Sequence, residues 1–274
     1  MKISGTTRVA AVVGAPVAHS LSPTIHNAWI SAAGLDAVYV ALEPRVLAGL
    51  VNGLRGGVLR GLNVTAPFKE AALTLADVAS ARARAACAAN LLIFEEDGQV
   101  SADNTDGRGL LAAFAEQTPG FDPTAGPVAI LGGGGAARGA AAAFVEAGAP
   151  AVRILARSAD KARRLAADFA PLASGHGLDD AGALSDVMAV INATPAAPHA
   201  ALEAAPPSVV AMDMVYRPLL TPFLAGARAR GLQTVDGLAM LIGQARPSFE
   251  ALFGVAPPAI DIRAVALEML KGTA

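Results

Sequence analysis

The sequence predicts an α/β fold of two domains, each a sheet of parallel strands with helices packed on it. Three observations carry this expectation. The chain has 274 residues, a length at which a single hydrophobic core tends to give way to two. Short β-branched runs alternate with longer segments rich in Ala, Leu and Arg, and repeated strand–helix–strand order builds parallel sheets. Between two such sets lies Thr118-Pro-Gly-Phe-Asp-Pro-Thr-Ala-Gly-Pro127, dense in turn formers and read as the join between domains.

In chain order, the first set of expected strands is Val9–Val13, Val38–Leu42, Gly61–Val64 and Leu91–Phe94. The second is Val128–Leu131, Val152–Leu155, Val187–Asn192 and Val209–Met214. Helices are expected over Ala71–Ala86, Gly135–Ala147, Ala159–Phe169 and Pro222–Arg230. The tail from Leu238 to Lys271 reads as helix broken at Pro247 and at Pro257-Pro258, because proline removes a helical N–H. Periodicity assigns this tail to neither domain.

Hydrophobic residues make up 54% of the chain. No run of about 20 mostly apolar residues occurs, so no spanning helix and no membrane partner are expected. Lys2 and Arg8 ahead of Val9-Ala-Ala-Val-Val-Gly-Ala15 superficially resemble a secretion signal. The run passes straight into Gly14-Ala-Pro and a polar loop, and reads instead as a buried first strand. Cys87 is the one cysteine and has no internal partner, as suits a reducing compartment. A net charge of −2 leaves no basic surface for nucleic acid. The expected location is the cytoplasm. His19, His26, His176 and His199 lack ligand spacing, so no metal is expected.

The sharpest local signal is Val128-Ala-Ile-Leu-Gly132-Gly133-Gly134-Gly135-Ala136-Ala137-Arg138. A short apolar strand runs into Gly-x-Gly-x-x-Ala and then an alanine-rich helix, the setting a Rossmann-type dinucleotide fingerprint requires. Gly132 allows the tight turn, Gly134 lets a pyrophosphate approach the backbone, and Ala137 lets helix and strand pack closely. The phosphates would meet unpaired N–H groups at the positive end of the helix. A glycine-rich turn without ligand is the plain alternative, and the strand–helix context favours the cofactor.

An NAD site usually places Asp or Glu at the end of the next strand. Here stands Ala156-Arg157-Ser158-Ala-Asp-Lys161. Arg157 can pair with a 2′-phosphate, Ser158 can donate to it and cap the following helix, and Lys161 adds charge. Cations at a helix N-terminus oppose its dipole, so an anionic ligand accounts for them better than chance does. The expected cofactor is NADP(H).

Three polar clusters follow expected strands in the first half. In His19-Ser20-Leu-Ser22-Pro23-Thr-Ile-His26-Asn27, an extended backbone would project Ser20 and Ser22 together. Their two hydroxyls could hold a carboxylate, although Ser-x-Ser-Pro is also an ordinary helix cap. In Gly61-Leu-Asn63-Val-Thr65-Ala-Pro67-Phe-Lys69-Glu70, Asn63 and Thr65 share a strand face and Pro67 turns the chain toward Lys69. The third cluster is Asp103-Asn104-Thr105-Asp106-Gly107. None of these is distinctive alone.

Together they resemble the shikimate dehydrogenase family. The similarity spans nearly the whole chain in one order: His-Ser-x-Ser-Pro at 19–23, Asn-Val-Thr-x-Pro-Phe-Lys at 63–69, Asn90 and Asp-Asn-Thr-Asp-Gly at 103–107. It continues through the glycine loop, Ala-Arg-Ser-x-x-Lys at 156–161, Asn-Ala-Thr at 192–194, Asp213-Met-Val-Tyr216 and Asp-Gly-Leu-x-Met-Leu-Ile-x-Gln at 236–244.

The resemblance implies NADPH-dependent reduction of 3-dehydroshikimate, with Lys69 as the proton-transfer residue paired with Asp106. It implies that Ser20 and Ser22 bind the substrate carboxylate, and that Thr65, Asn90, Asp106, Tyr216 and Gln244 contact ring hydroxyls. Asn63 joins this substrate-binding set. Met214 and Gly237 would line the nicotinamide pocket, with Thr194 also on the cofactor side. It further implies an N-terminal α/β substrate domain, 1–105, completed by C-terminal helices, 238–274, and a Rossmann-type NADP-binding domain, 106–237. A monomer or homodimer would suffice.

The chain departs from the family pattern at Leu91, Ala81 and Pro195-Ala-Ala-Pro198. The motifs suit quinate or an amino-substituted shikimate as well as shikimate. A non-catalytic regulator sensing NADP and shikimate is a further reading, which intact Lys69 and Asp106 disfavour. A tetrahydrofolate-type dehydrogenase shares the layout, but the Ser20/Ser22 and Asn63/Thr65 clusters suit a small hydroxylated acid better.

Overall fold

The computed structural model describes residues 3–57 and 59–271; Lys2 lies outside the described residues. The chain divides into two compact units, Met1–Thr105 with Gln244–Ala274, and Asp106–Gly243.

The first unit contains, in order, β1 (Arg8–Val13), α1 (Ser22–Ala32), β2 (Ala37–Leu42), α2 (Leu47–Leu54), β3 (Leu59–Val64) and α3 (Lys69–Leu75), then β4 (Val78–Ala79), α4 (Ala81–Ala86), β5 (Leu91–Phe94) and β6 (Val100–Asp103). Its six strands form one sheet in the order β2-β1-β3-β5-β6-β4. One core gathers Val13, Leu62, Leu92, Phe94 and Val100 around it.

The sheet is mixed rather than parallel: β5 pairs antiparallel with both β3 and β6. The β5–β6 pairing follows from the short link between them. It is closed by the Glu95 N–H donating to the Gln99 carbonyl at 2.9 Å, far too tight for the crossover that parallel neighbours need.

The helix expected over 71–86 is two helices with β4 between them. Asp77 ends the first: its carboxylate accepts from the Arg55 guanidinium and from the Val100 N–H at 2.7 Å, which draws 78–79 alongside β6. Ser80 then starts α4 afresh, its Oγ accepting the Ala83 N–H at 3.0 Å.

The second unit runs α5 (Asp106–Gln117), β7 (Val128–Leu131), α6 (Gly135–Glu146), β8 (Val152–Ala156), α7 (Ala159–Ala167) and β9 (Ala173–Gly177), followed by β10 (Ala189–Asn192), α8 (His199–Ala204), β11 (Val210–Asp213), α9 (Pro222–Ala229), β12 (Gln233–Val235) and the start of α10 (Gly237–Phe253). All neighbouring strands are parallel, in the order β12-β11-β10-β7-β8-β9. The chain therefore reverses its direction of travel across the sheet between β7 and β10, the Rossmann arrangement. Leu110, Phe114, Ala140 and Phe144 belong to one core, and Leu202, Phe223 and Leu224 to another.

Two expectations are corrected by the fold. The turn-rich segment 118–127 lies inside the second unit and does not divide the domains. The helix before it, α5, buries Leu110, Ala113 and Phe114 in the same core as Val128 and Ile130. Nor does Pro247 break α10, which continues to Phe253. The bond lost is one N–H to the Gly243 carbonyl, and a 17-residue helix with flanking turns intact retains its course.

The break at Pro257-Pro258 does fall between α10 and α11 (Ile262–Lys271). α11 packs on α1 within the first unit. Among the described residues, no helix is long and apolar enough to cross a membrane.

Candidate active site

In the first unit, β1 and β3 run parallel and end at Val13 and Val64, so their following loops leave from the same edge of the sheet. The loops are stitched together. The Thr65 N–H donates to the Val13 carbonyl at 2.8 Å, and the Ala15 N–H to the Ala66 carbonyl at 3.1 Å. Thr65 presses its methyl against Gly14, where a Cβ would lie only 2.4 Å away. Lys69 opens α3, and its carbonyl accepts the Ala89 N–H at 2.9 Å, so its backbone is anchored beside the strand that begins after Asn90.

The extended geometry expected for Ser20 and Ser22 does not form. Ser22 opens α1 with Pro23 in its first turn, and Leu21 is already helical at φ −83°, ψ −7°. Proline is preorganised for that position. The two serines still meet, through the Ser22 N–H donating to Ser20 Oγ at 3.2 Å.

Asn63, Asn90 and Gln244 belong to one buried hydrogen-bonded group, joined by Tyr39, Thr105 and Ser248. Asn63 Oδ1 accepts from the Tyr39 hydroxyl at 2.8 Å, and its Nδ2 donates to the Asn90 carbonyl at 3.1 Å and to Ser248 Oγ at 3.0 Å. Asn90 Oδ1 accepts the Thr105 N–H at 2.7 Å, while its Nδ2 donates to Thr105 Oγ1 at 2.9 Å and Gln244 Oε1 at 3.3 Å. Thr105 and Ser248 hydroxyls lie 3.2 Å apart.

Asp103 braces the adjoining loop, accepting from Ser80 Oγ, the Asn104 N–H and Arg82. Burial pushes its carboxyl up, but these bonds outweigh it and hold the pKa below the usual carboxylate range.

His26 sits behind this group, fully buried and stacked on Tyr39 with ring centroids 4.1 Å apart. Burial lowers its pKa to about 3. Tyr39, Thr105, Ser248 and His26 are structural participants that motif spacing does not reveal.

In the second unit, the glycine loop forms a backbone cradle. Gly132 adopts φ +136°, and a Cβ there would lie 3.1 Å from the Ala193 carbonyl and 3.3 Å from the Thr194 methyl. Residues Gly133 to Ala136 are exposed, whereas Ala137 is buried against the sheet. No side chain caps the start of α6 and no acid stands in its first turn, so its leading N–H groups face outward for an anion.

Ser158 caps α7, its Oγ accepting the Lys161 N–H at 3.4 Å, and a Cβ on Gly133 would touch Lys161 Cβ at 3.6 Å. Arg157 and Lys161 are exposed and make no ion pair among the described residues.

Thr194 is held by its hydroxyl donating to Asn192 Oδ1 at 2.8 Å. Asn192 in turn donates to Asp213, which also accepts from Thr221 Oγ1 at 2.6 Å and from the Val215 N–H at 3.0 Å. Burial nevertheless keeps the Asp213 pKa above the ordinary carboxylate range.

Met214 and Gly237 come together directly, since a Cβ on Gly237 would lie 2.6 Å from the Met214 carbonyl. Tyr216 follows in the same loop, its phenol pushed upward by burial against the opposing pull of Arg217. Asp106 is the first residue of α5.

A Rossmann sheet with an outward-facing backbone cradle and a basic helix start, joined to a mixed-sheet unit with its own polar cluster, defines a two-unit dinucleotide-binding α/β protein. Residues 12–92 match the family described as the shikimate dehydrogenase substrate binding domain. A shikimate dehydrogenase (NADP(+)) of Caulobacter vibrioides is 54% identical, covering 98% of both chains. The shikimate 5-dehydrogenase of Thermus thermophilus, solved with NADP(H) and shikimate, superposes with a TM-score of 0.84 at 34% identity, covering 96% of this chain and 99% of that one. A quinate dehydrogenase of Corynebacterium glutamicum, solved with NAD, gives 0.84 at 26% identity, covering 97% and 99%. The chain belongs to the shikimate dehydrogenase family.

Proposed function

We propose that this protein catalyses the reversible NADPH-dependent reduction of 3-dehydroshikimate to shikimate, in chorismate and aromatic amino-acid biosynthesis in the cytoplasm. The observation that carries this reading is the 54% identity, end to end, with an NADP(+)-dependent shikimate dehydrogenase. The first unit is then the substrate domain and the second the NADP-binding domain.

The residues present fit NADP(H). The helix start offers unpaired N–H groups, Gly134 and Gly135 have no atom within 4 Å of a would-be Cβ, and Arg157 and Lys161 stand exposed at the next helix start. Gly132 to Ala137 would take the pyrophosphate, Arg157, Ser158 and Lys161 the 2′-phosphate, and Thr194, Met214 and Gly237 the nicotinamide side. When bound, NADPH supplies the hydride for reduction.

The chain's own work is binding and proton transfer. Ser20 and Ser22 hold the carboxylate, and Thr65, Asn90, Tyr216 and Gln244 read the ring hydroxyls. Negative charge develops on the ketone oxygen as it is reduced. Lys69 donates a hydrogen bond and then a proton to that oxygen, with Asp106 as its partner.

The test is NADP⁺ reduction followed by NADPH absorbance, with shikimate and quinate in parallel and NAD⁺ as the control. Turnover of shikimate with NADP⁺ supports the proposal. Turnover of quinate alone, or a preference for NAD⁺, overturns the specificity while keeping the fold. NADPH binding without any turnover moves the regulator to first place.

A further inference from the structure

Tyr39 and Ser248 carry no role in the function proposed above, yet both bond Asn63, and Ser248 also meets Thr105 and the Gln244 carbonyl. We infer that Tyr39 and Ser248 are positioning residues. Acting through Asn63 and Thr105, they hold in place the group from which Asn90 and Gln244 present their amides, and so set affinity for the polyol substrate. The inference rests on the proposed function and deepens it.

The donors settle which way each amide faces. A carbonyl can only accept, so the contact with the Asn90 carbonyl identifies the NH₂ end of Asn63. Its two N–H donors are then both used inside the protein, on Asn90 and Ser248, and its oxygen accepts from Tyr39. Asn63 therefore belongs with the positioning residues and not with those that touch substrate.

Tyr39 is fully buried and its ring is clamped, parallel to His26 within 6°. Burial raises its pKa, so it retains the proton it donates.

Ser248 stands one helical turn beyond Gln244 on α10, with its hydroxyl donating to the Gln244 carbonyl at 3.1 Å. That leaves its oxygen to accept from Asn63 and to meet Thr105. The Thr105 N–H identifies the oxygen end of Asn90, which turns the Asn90 NH₂ toward Thr105 Oγ1 and Gln244 Oε1. Gln244 thus enters the group by its oxygen. Each amide has one sense, fixed by the Asn90 carbonyl and the Thr105 N–H, and Tyr39 and Ser248 hold it there by taking up the remaining bonds of Asn63 and Thr105.

Two variants separate positioning from mere support. Tyr39→Phe keeps the ring stack and removes only the hydroxyl, and Ser248→Ala removes one oxygen. Each is expected to raise the KM for shikimate roughly tenfold, the scale of a buried polar group left unpaired. The KM for NADP⁺ should stay at the wild-type value and kcat should change little. Because both act through Asn63, the double variant should be no worse than the poorer single one.

Ile30→Val, a core change in the same unit, is the stability control and should leave the KM for shikimate alone. Folded variants with wild-type KM, or penalties that simply add, overturn the inference. Should Ser248→Ala not fold, Tyr39→Phe decides it. A wild-type protein that does not turn over shikimate sinks the proposed function as well, whereas an active wild type with indifferent variants sinks this inference alone.

Discussion

The two units prepare for a ligand in opposite ways. In the first, side chains gathered from Tyr39, Asn63, Asn90, Thr105, Gln244 and Ser248 satisfy one another in a buried group. In the second, the working surface is largely backbone: a glycine turn, the exposed start of α6 and the capped start of α7. A side-chain site is specific because each group has one donor sense, and every member depends on the others. A backbone site is general, since every residue but proline supplies an N–H, and the exposed Arg157 and Lys161 stand at its margin.

This contrast can be broken by experiment. The largest effect should come from the first unit's chemistry: Lys69→Ala is expected to lower kcat about 10²–10⁴-fold. Near-normal turnover would remove Lys69 from its assigned role.

The same unit should carry acid sensitivity. His26 has a pKa of about 3 when folded against 6.5 ordinarily, so between these values the unfolded chain binds a proton that the folded one does not. Its contribution to stability is complete above about pH 6.5 and is lost as pH falls toward 3, on the order of 4 kcal/mol. Urea midpoints at neutral and acid pH should diverge in the wild type and converge in His26→Phe. Equal slopes in the two proteins would show that His26 is not the cause.

The backbone unit should respond differently. Gly132→Ala strains a φ of +136° and crowds the Ala193 carbonyl, and should raise the KM for NADP⁺ roughly tenfold or more. The KM for shikimate is the internal control; equal rises in both would contradict a local effect. Arg157→Ala sharpens the margin: NADP⁺ should weaken roughly tenfold and NAD⁺ hardly at all. Parallel losses for both cofactors would take the 2′-phosphate away from Arg157.

The contrast also explains what can be read from the sequence. The cradle and its basic margin occupy residues 132–161, because a backbone site is made by local turn chemistry and spacing. The polar group draws on residues from 39 to 248, and nothing local announces that they meet; strand alternation picks out Asn63 beside Thr65, and only the family resemblance names Asn90 and Gln244. Ser248 carries a weak signal, four residues after Gln244 and so on the same helical face.

Among the strands, β6 has a usable signal, Asp97-Gly98 between two apolar runs, which marks a hairpin. β9, Ala-Ser-Gly-His-Gly, has no β-branched residue and forms because β8 and α7 receive it. Strand alternation gives the wrong geometry at 20–22 because the helix started by Pro23 reaches back through Ser22 to Leu21.

The glycine loop separates two kinds of selection. At Gly132 the fold itself excludes a side chain. At Gly134 and Gly135 it does not: a Cβ would meet nothing within 4 Å, and Gly134 has φ −111° and ψ −169°, open to any residue. Alanine at 135 should even favour α6, by up to about 1 kcal/mol. On the proposed function, a bound pyrophosphate would take the room that these two positions leave open. Gly134→Ala and Gly135→Ala should therefore melt no lower than the wild type yet, if the proposed function holds, bind NADP⁺ less well.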